Sequence, residues 1–138
     1  MFSSKKEDWE TPRELFYQLN SKYNFTLDAA ATMLNKKCHH WLEDALNSEW
    51  RGNVFLNPPY GRKIKDFIKK AHDEYIAGRA NTIVMLLPAR TDTKYFHDYI
   101  YKKDFAEIEF LKGRLKFEVN GVPSKDAAPF PSMVVTYK

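Results

Sequence analysis

Ile64, Phe67, Ile68, Ala71 and Tyr75 recur at the i, i+3, i+4, i+7 and i+11 spacing of one helix face, with Gly78 placed to end the helix. Residues 82–87 show a different pattern, an unbroken β-rich apolar run that stops at Pro88. Such runs belong to strands buried on both faces of a parallel sheet. A shorter run, residues 53–56, enters Asn57-Pro58-Pro59-Tyr60, where two prolines end both the ladder and any helix. Nearer the start, Thr11-Pro12-Arg13-Glu14 reads as an N-cap, a proline at the first helical position and a capping-box glutamate. Leu15, Leu19 and Tyr23 then follow at helical spacing. Asn24 ends that helix, residues 25–27 are predicted as a buried strand stopping at Asp28, and Ala29-Ala30-Ala31 favours renewed helix.

The rest of the pattern is shorter-ranged. Residues 38–42 are compatible with a strand and 44–50 with a loop, and Asp92 can cap a helix carrying Phe96, Tyr99 and Ile100. Residues 107–111, 114–119 and 133–137 read as later strands, joined by Gly113 and by a Gly- and Pro-containing loop at 120–131. Strands alternating with helices predict an α/β fold whose sheet is mainly parallel and closes with antiparallel C-terminal strands.

Composition narrows the class. At 138 residues the chain has room for one hydrophobic core, so a single domain over 1–138 is expected, with 1–8 a flexible lead-in and no separate target-recognition domain. Its 43% hydrophobic and 15% aromatic content excludes a disordered chain. No apolar run approaches membrane-spanning length and the N-terminus lacks the apolar stretch of a signal peptide, so no membrane partner and a cytoplasmic location are expected. The lone Cys38 cannot form an internal disulfide, in keeping with a reducing compartment. A net charge of +4 leans towards an anionic partner.

In open α/β sheets ligands bind beyond the carboxyl ends of the strands. Three polar groups stand there: Asp28, Asn57-Pro58-Pro59-Tyr60, and Pro88-Ala89-Arg90. The tetrad suits methylation of a planar exocyclic amine. The Asn57 side-chain oxygen and the Pro58 carbonyl can both accept from an adenine NH2 group, and neither is protonated at neutral pH. As the amine attacks a sulfonium methyl it gains positive charge, which fixed acceptor dipoles stabilise more than they stabilise the neutral amine. Pro58 and Pro59 hold the turn rigid, and Tyr60 offers a ring face to a base taken out of the duplex. The plain alternative is a Pro-Pro turn capped by an asparagine. Cys38-His39-His40 invites a zinc reading, but no second Cys or His pair supplies four ligands, and no metal is expected. Arg62, Lys63 and Lys65 follow the tetrad, Arg90 and Lys94 the third strand, and Lys112, Arg114 and Lys116 surround Gly113. They could contact phosphates or belong to solvated faces.

These residues carry a resemblance. Trp9-Glu10-Thr11-Pro12, Leu27-Asp28-Ala29-Ala30-Ala31, Asp44-Ala45-Leu46, Trp50-Arg51-Gly52, the tetrad, Leu87-Pro88-Ala89-Arg90-Thr91-Asp92-Thr93 and Gly113-Arg114-Leu115-Lys116-Phe117 closely resemble the bacteriophage DNA N-6-adenine-methyltransferase family over nearly the whole chain. The resemblance implies a Rossmann-like methyltransferase fold, S-adenosylmethionine as methyl donor, and adenine in double-stranded DNA as acceptor. For a phage-encoded enzyme it also implies work in the host cytoplasm and protection from restriction. It places Asp28, Ala29 and Ala30 in the cofactor loop, where alanines stand in place of the superfamily's glycines. Thr11 and Pro12 look like the motif that closes over the methionine end, and Asn57 borders the cofactor as well as the target. Asp44 could accept from a cofactor hydroxyl or amine. On the residues alone, Asp28 could instead be a helix cap, Thr11 and Pro12 only a helix start, and Asp44 an exposed loop acid. RNA or protein-glutamine methylation, or a non-catalytic DNA- or cofactor-binding remnant, remain the alternatives, and a homodimer is compatible with the chain.

Overall fold

The computed structural model describes residues 9–31, 35–38 and 40–138; the expected lead-in at 1–8 and His39 of the zinc reading lie outside them. Helix α1 (Arg13–Tyr23) precedes strands β1 (Leu27–Asp28), β2 (His40–Trp41) and β3 (Gly52–Leu56), with a 3-10 turn at Ala45–Asn47. Helix α2 (Ile64–Ile76), strand β4 (Ala80–Pro88), helix α3 (Lys94–Tyr99), and strands β5 (Ala106–Phe110), β6 (Glu118–Val119), β7 (Val122–Pro123) and β8 (Ser132–Tyr137) follow. Six strands form one sheet in the order β2-β1-β3-β4-β8-β5, and β6 and β7 form a separate hairpin. β1 pairs parallel with β2 and β3, β3 parallel with β4, and β8 antiparallel with both β4 and β5. β8 alone therefore runs against the other five.

Both faces of this sheet are covered. Ile83, Met85 and Leu87 of β4 pack with Ile64, Phe67, Ile68 and Ala71 of α2 and Phe96 of α3. The alternate residues Val84 and Leu86 enter a second core with Trp9, Phe117 and Val134. Each fully buried side chain of this kind contributes about 1.5–3 kcal/mol. β3 is held in the same way, Val54 and Leu56 on the α2 side and Phe55 edge-on to Phe16 of α1 at 5.1 Å. The residue that follows β3, Asn57, is thus delivered by a strand fixed on both faces. Gly52 opens that strand at φ +76°, and an added Cβ would stand 2.6 Å from Thr26 Oγ1. Only glycine lets β3 start so close to the segment entering β1. α2 ends as its sequence predicts, with Gly78 at φ +76° and its N–H donating to the Tyr75 carbonyl at 3.0 Å.

Four local expectations are corrected. The capping box does not form: Pro12 occupies the N-cap without a side-chain cap, and the Arg13 N–H donates to Glu118 Oε2 at 2.8 Å. A distant carboxylate has replaced the local one. Ala29-Ala30-Ala31 is not a helix and bends at Ala29 and Ala30, because the Ala29 and Ala31 N–H groups donate to the Phe55 and Leu42 carbonyls at 2.9 and 3.2 Å. Tertiary pairing here outweighs alanine's helix propensity. α3 is capped by Thr93, whose Oγ1 accepts from the Phe96 N–H at 3.3 Å, rather than by Asp92. Finally, the strand expected at 114–119 shrinks to Glu118–Val119, since the Leu115 and Phe117 carbonyls accept from Ala128 and Ser124 across an irregular loop. No helix among the described residues is long and apolar enough to cross a membrane.

Candidate active site

From β1 the chain crosses to β2 on one side and returns to β3 on the other, so the strand order reverses between β1 and β3. A crevice beyond the carboxyl ends is expected at such a point. A pocket of about 200 Å³ opens there, walled by Asp28 at the end of β1 with Ala30 and Ala31 beyond it, Glu43 and Ala45 after β2, and Asn57 and Pro59 after β3. Trp9, Glu10 and Thr11 close one side. The volume lies below the roughly 300–1,000 Å³ of sites that enclose drug-sized ligands. A nucleoside-sized guest would extend into the open mouth.

Asp28 is only 3% exposed, and its Oδ2 accepts from the Lys37 N–H at 2.8 Å. Burial raises its carboxyl from 3.8 to about 6, against the N–H groups of Lys37 and Ala30, which favour the charged form. Asp28 begins no helix among the described residues, so it is not a helix cap. Thr11 is buried in the pocket wall, while Pro12 sits at the start of α1 and Ala29 is buried in the core and does not line the pocket. Asp44 is not brought to the pocket: it is exposed, and its carboxylate accepts from Asn47 Nδ2 at 3.0 Å. Its neighbour Glu43 lines the pocket instead. Glu43, Glu10, Asn35 and Lys37 are wall residues that sequence reasoning missed. An end of β2 at Trp41 would have been the signal for Glu43.

Asn57 Nδ2 donates to the Trp9 carbonyl at 2.8 Å. A carbonyl can only accept, so the amide orientation is fixed, and Oδ1 is left without a partner among the described residues. Pro58 is buried, and its carbonyl accepts no main-chain hydrogen bond among the described residues. Tyr60 is more enclosed than its expected stacking role suggests. Its hydroxyl donates to the Leu86 carbonyl at 3.2 Å, and its ring meets Trp9, Phe117 and Phe130 edge-on with centroids 5.6–6.2 Å apart. Burial pushes the Tyr60 hydroxyl well above the usual phenol range.

Arg62, Lys63, Arg90, Lys94, Lys112 and Arg114 are all exposed. They follow the carboxyl ends of β3, β4 and β5, which run in one direction, so all six belong to the edge that holds Asn57. None forms an ion pair among the described residues, whereas Arg13, Arg51, Lys69, Lys70, Arg79 and Lys138 do. Arg90 lies over the Phe130 ring at 5.9 Å. Cys38 is buried and its thiol is pushed up to about 12, first by burial and then by the Asp28 charge.

A covered, mainly parallel sheet, one inserted antiparallel strand, and an Asn-Pro-Pro-Tyr turn at its reversal point are those of a Rossmann-like methyltransferase fold. The model of one family, DNA N-6-adenine-methyltransferase (Dam), matches residues 1–138, and the chain belongs to that family. Its family activity is methylation of adenine in DNA. No curated protein matches the chain.

Proposed function

We propose that the chain transfers a methyl group from S-adenosylmethionine to the N6 amine of adenine in double-stranded DNA. The fixed amide of Asn57 carries this reading: with Nδ2 held by Trp9, Oδ1 is the side chain's remaining acceptor beside the pocket. The pocket suits the cofactor, because Asp28 and Glu43 in its wall offer carboxylates to a ligand with sulfonium and ammonium charges. When bound, that cofactor supplies an electrophilic methyl group.

Asp28 binds the cationic end, Thr11, Ala30 and Asn57 border the cofactor, and Glu43 accepts from its hydroxyls in the place sequence reasoning gave to Asp44. Pro12 and Ala29 support this wall without lining the pocket. Asn57 Oδ1 and the Pro58 carbonyl accept the two amine hydrogens of adenine, orient the nitrogen lone pair, and stabilise the positive charge that grows on nitrogen. Pro59 keeps the turn rigid, and Tyr60 borders the flipped base from within its aromatic cluster. Arg62, Lys63, Arg90, Lys94, Lys112 and Arg114 hold the DNA phosphates. One domain over 1–138, acting in the cytoplasm, performs all of this.

The test is to incubate the purified chain with isotope-labelled cofactor and, separately, DNA, RNA and protein substrates, and to identify the product by mass spectrometry. Label in N6-methyldeoxyadenosine supports the reading. Label confined to RNA, to glutamine or to cytosine overturns it.

A further inference from the structure

The segment that closes one side of the pocket is bound to a hairpin more than a hundred residues away in sequence. Glu10 and Glu118 form an antiparallel bridge, each N–H donating to the other's carbonyl at 2.9 Å. Asn120 and Gly121, at φ 53° and 78°, form the two-residue turn between β6 and β7. Both residues with φ above zero are what the favoured tight hairpin turn requires. That turn presents two N–H groups to one carboxylate: Asn120 donates to Glu10 Oε2 and Gly121 to Glu10 Oε1, each at 3.0 Å. In return Glu118, only 5% exposed, accepts from the Arg13 N–H at 2.8 Å, and Arg13 Nη2 donates to the Gly121 carbonyl at 3.2 Å.

These bonds flank Trp9, whose carbonyl holds Asn57 Nδ2. The Trp9 ring is stacked on Phe130 at 5.8 Å and lies 5.4 Å from Phe117, which directly precedes Glu118. The carbonyl that orients Asn57 is thus located by its ring on one side and by the Glu10–Glu118 bridge on the other. We infer that Glu10 and Glu118 are positioning residues for Asn57: the hairpin fixes the Trp9 carbonyl, and the carbonyl fixes which way the Asn57 amide faces. For methyl transfer this inference rests on the reading given above, and for the orientation of Asn57 it stands by itself. The hairpin therefore acts on the chemical step without touching either substrate. Misplacing a reacting group by about 1 Å can cost on the order of 100-fold in rate.

Two variants, Glu118→Ala and Glu10→Ala, are compared with Glu118→Gln, whose amide oxygen can still accept from the Arg13 N–H. The first readout needs no activity: the side-chain amide resonances of Asn57, identified by their loss in Asn57→Ala, are followed by NMR in folded protein. In wild type and Glu118→Gln they should be well separated and slow to exchange. In Glu118→Ala and Glu10→Ala they should move towards free-amide values and exchange at least about tenfold faster, as expected for a released hydrogen bond. Unchanged Asn57 resonances in whichever of the two alanine variants folds would overturn the inference. The second readout is single-turnover methylation of DNA at saturating cofactor. Both alanine variants should lose about 10- to 100-fold in rate with little change in DNA affinity, and Glu118→Ala should add almost nothing once Asn57 is alanine. Full, independent losses in the double variant would contradict positioning through Asn57. Wild-type protein that methylates no DNA would sink the proposed function and leave the NMR result to decide the positioning.

Discussion

The main-chain N–H of Lys37 donates to the carboxylate of Asp28 at 2.8 Å, tying the far end of the loop after β1 to the strand's last residue. With its carboxyl raised by burial from 3.8 to about 6, Asp28 binds a proton more tightly in the folded than in the unfolded chain. Its contribution to stability therefore falls as pH rises from about 4 to about 6 and is level above that. A bound cation favours the ionised form. Cofactor affinity should rise through the same window, and binding near pH 6 should release a proton. Calorimetry in buffers of different ionisation heat measures this. Asp28→Asn should bind on the order of tenfold or more weakly, as a lost charge-assisted hydrogen bond predicts, and without the proton release. Identical proton release in Asp28→Asn would assign the proton to another group.

Tyr60→Phe removes the bond to the Leu86 carbonyl and nothing of the ring. It should cost about 0.5–1.5 kcal/mol of stability and leave the methylation rate within a few-fold. Tyr60→Ala leaves a cavity among Trp9, Phe117 and Phe130. A cost of about 3–5 kcal/mol is expected from aromatic truncations, together with weaker DNA capture. Thermal unfolding and single-turnover assays separate the two effects. A folded but inactive Tyr60→Phe would show that the hydroxyl takes part in the chemistry.

Six of the exposed cations on one edge, none in an ion pair among the described residues, predict binding dominated by phosphates. If all six reach the backbone, log Kd for duplex DNA should change with log salt with a slope of magnitude about 5, and Arg90→Ala should reduce it by about 1. Titrations at several salt concentrations check this. A salt-independent affinity would remove these residues from the interface.

Much of this arrangement was legible where the pattern was continuous. The run at 82–87 announced β4 because both of its faces are buried, and α2 followed from its apolar stripe. The tetrad's place after β3 followed from Pro58 and Pro59, which allow no further ladder. What escaped was set by partners far away in sequence. Nothing near Arg13 indicates that its N–H belongs to Glu118, and nothing in Ala29-Ala30-Ala31 indicates that Phe55 and Leu42 take its amides. Glu43 and Asp44 are adjacent acids of the same chemistry. Both are exposed, and only the fold shows that Glu43 lines the pocket while Asp44 does not.

The most direct test of the account is the single-turnover rate of Asn57→Ala on duplex DNA at saturating cofactor, with N6-methyladenine measured by mass spectrometry and binding measured on the same folded protein. Losing Asn57 Oδ1 removes an acceptor that acts mainly as charge develops on the amine. The rate should fall on the order of 100-fold or more, by analogy with deletion of an oxyanion-hole donor, while DNA and cofactor affinities change far less. Turnover close to wild type in Asn57→Ala would contradict the proposed mechanism, even if the chain binds both DNA and S-adenosylmethionine.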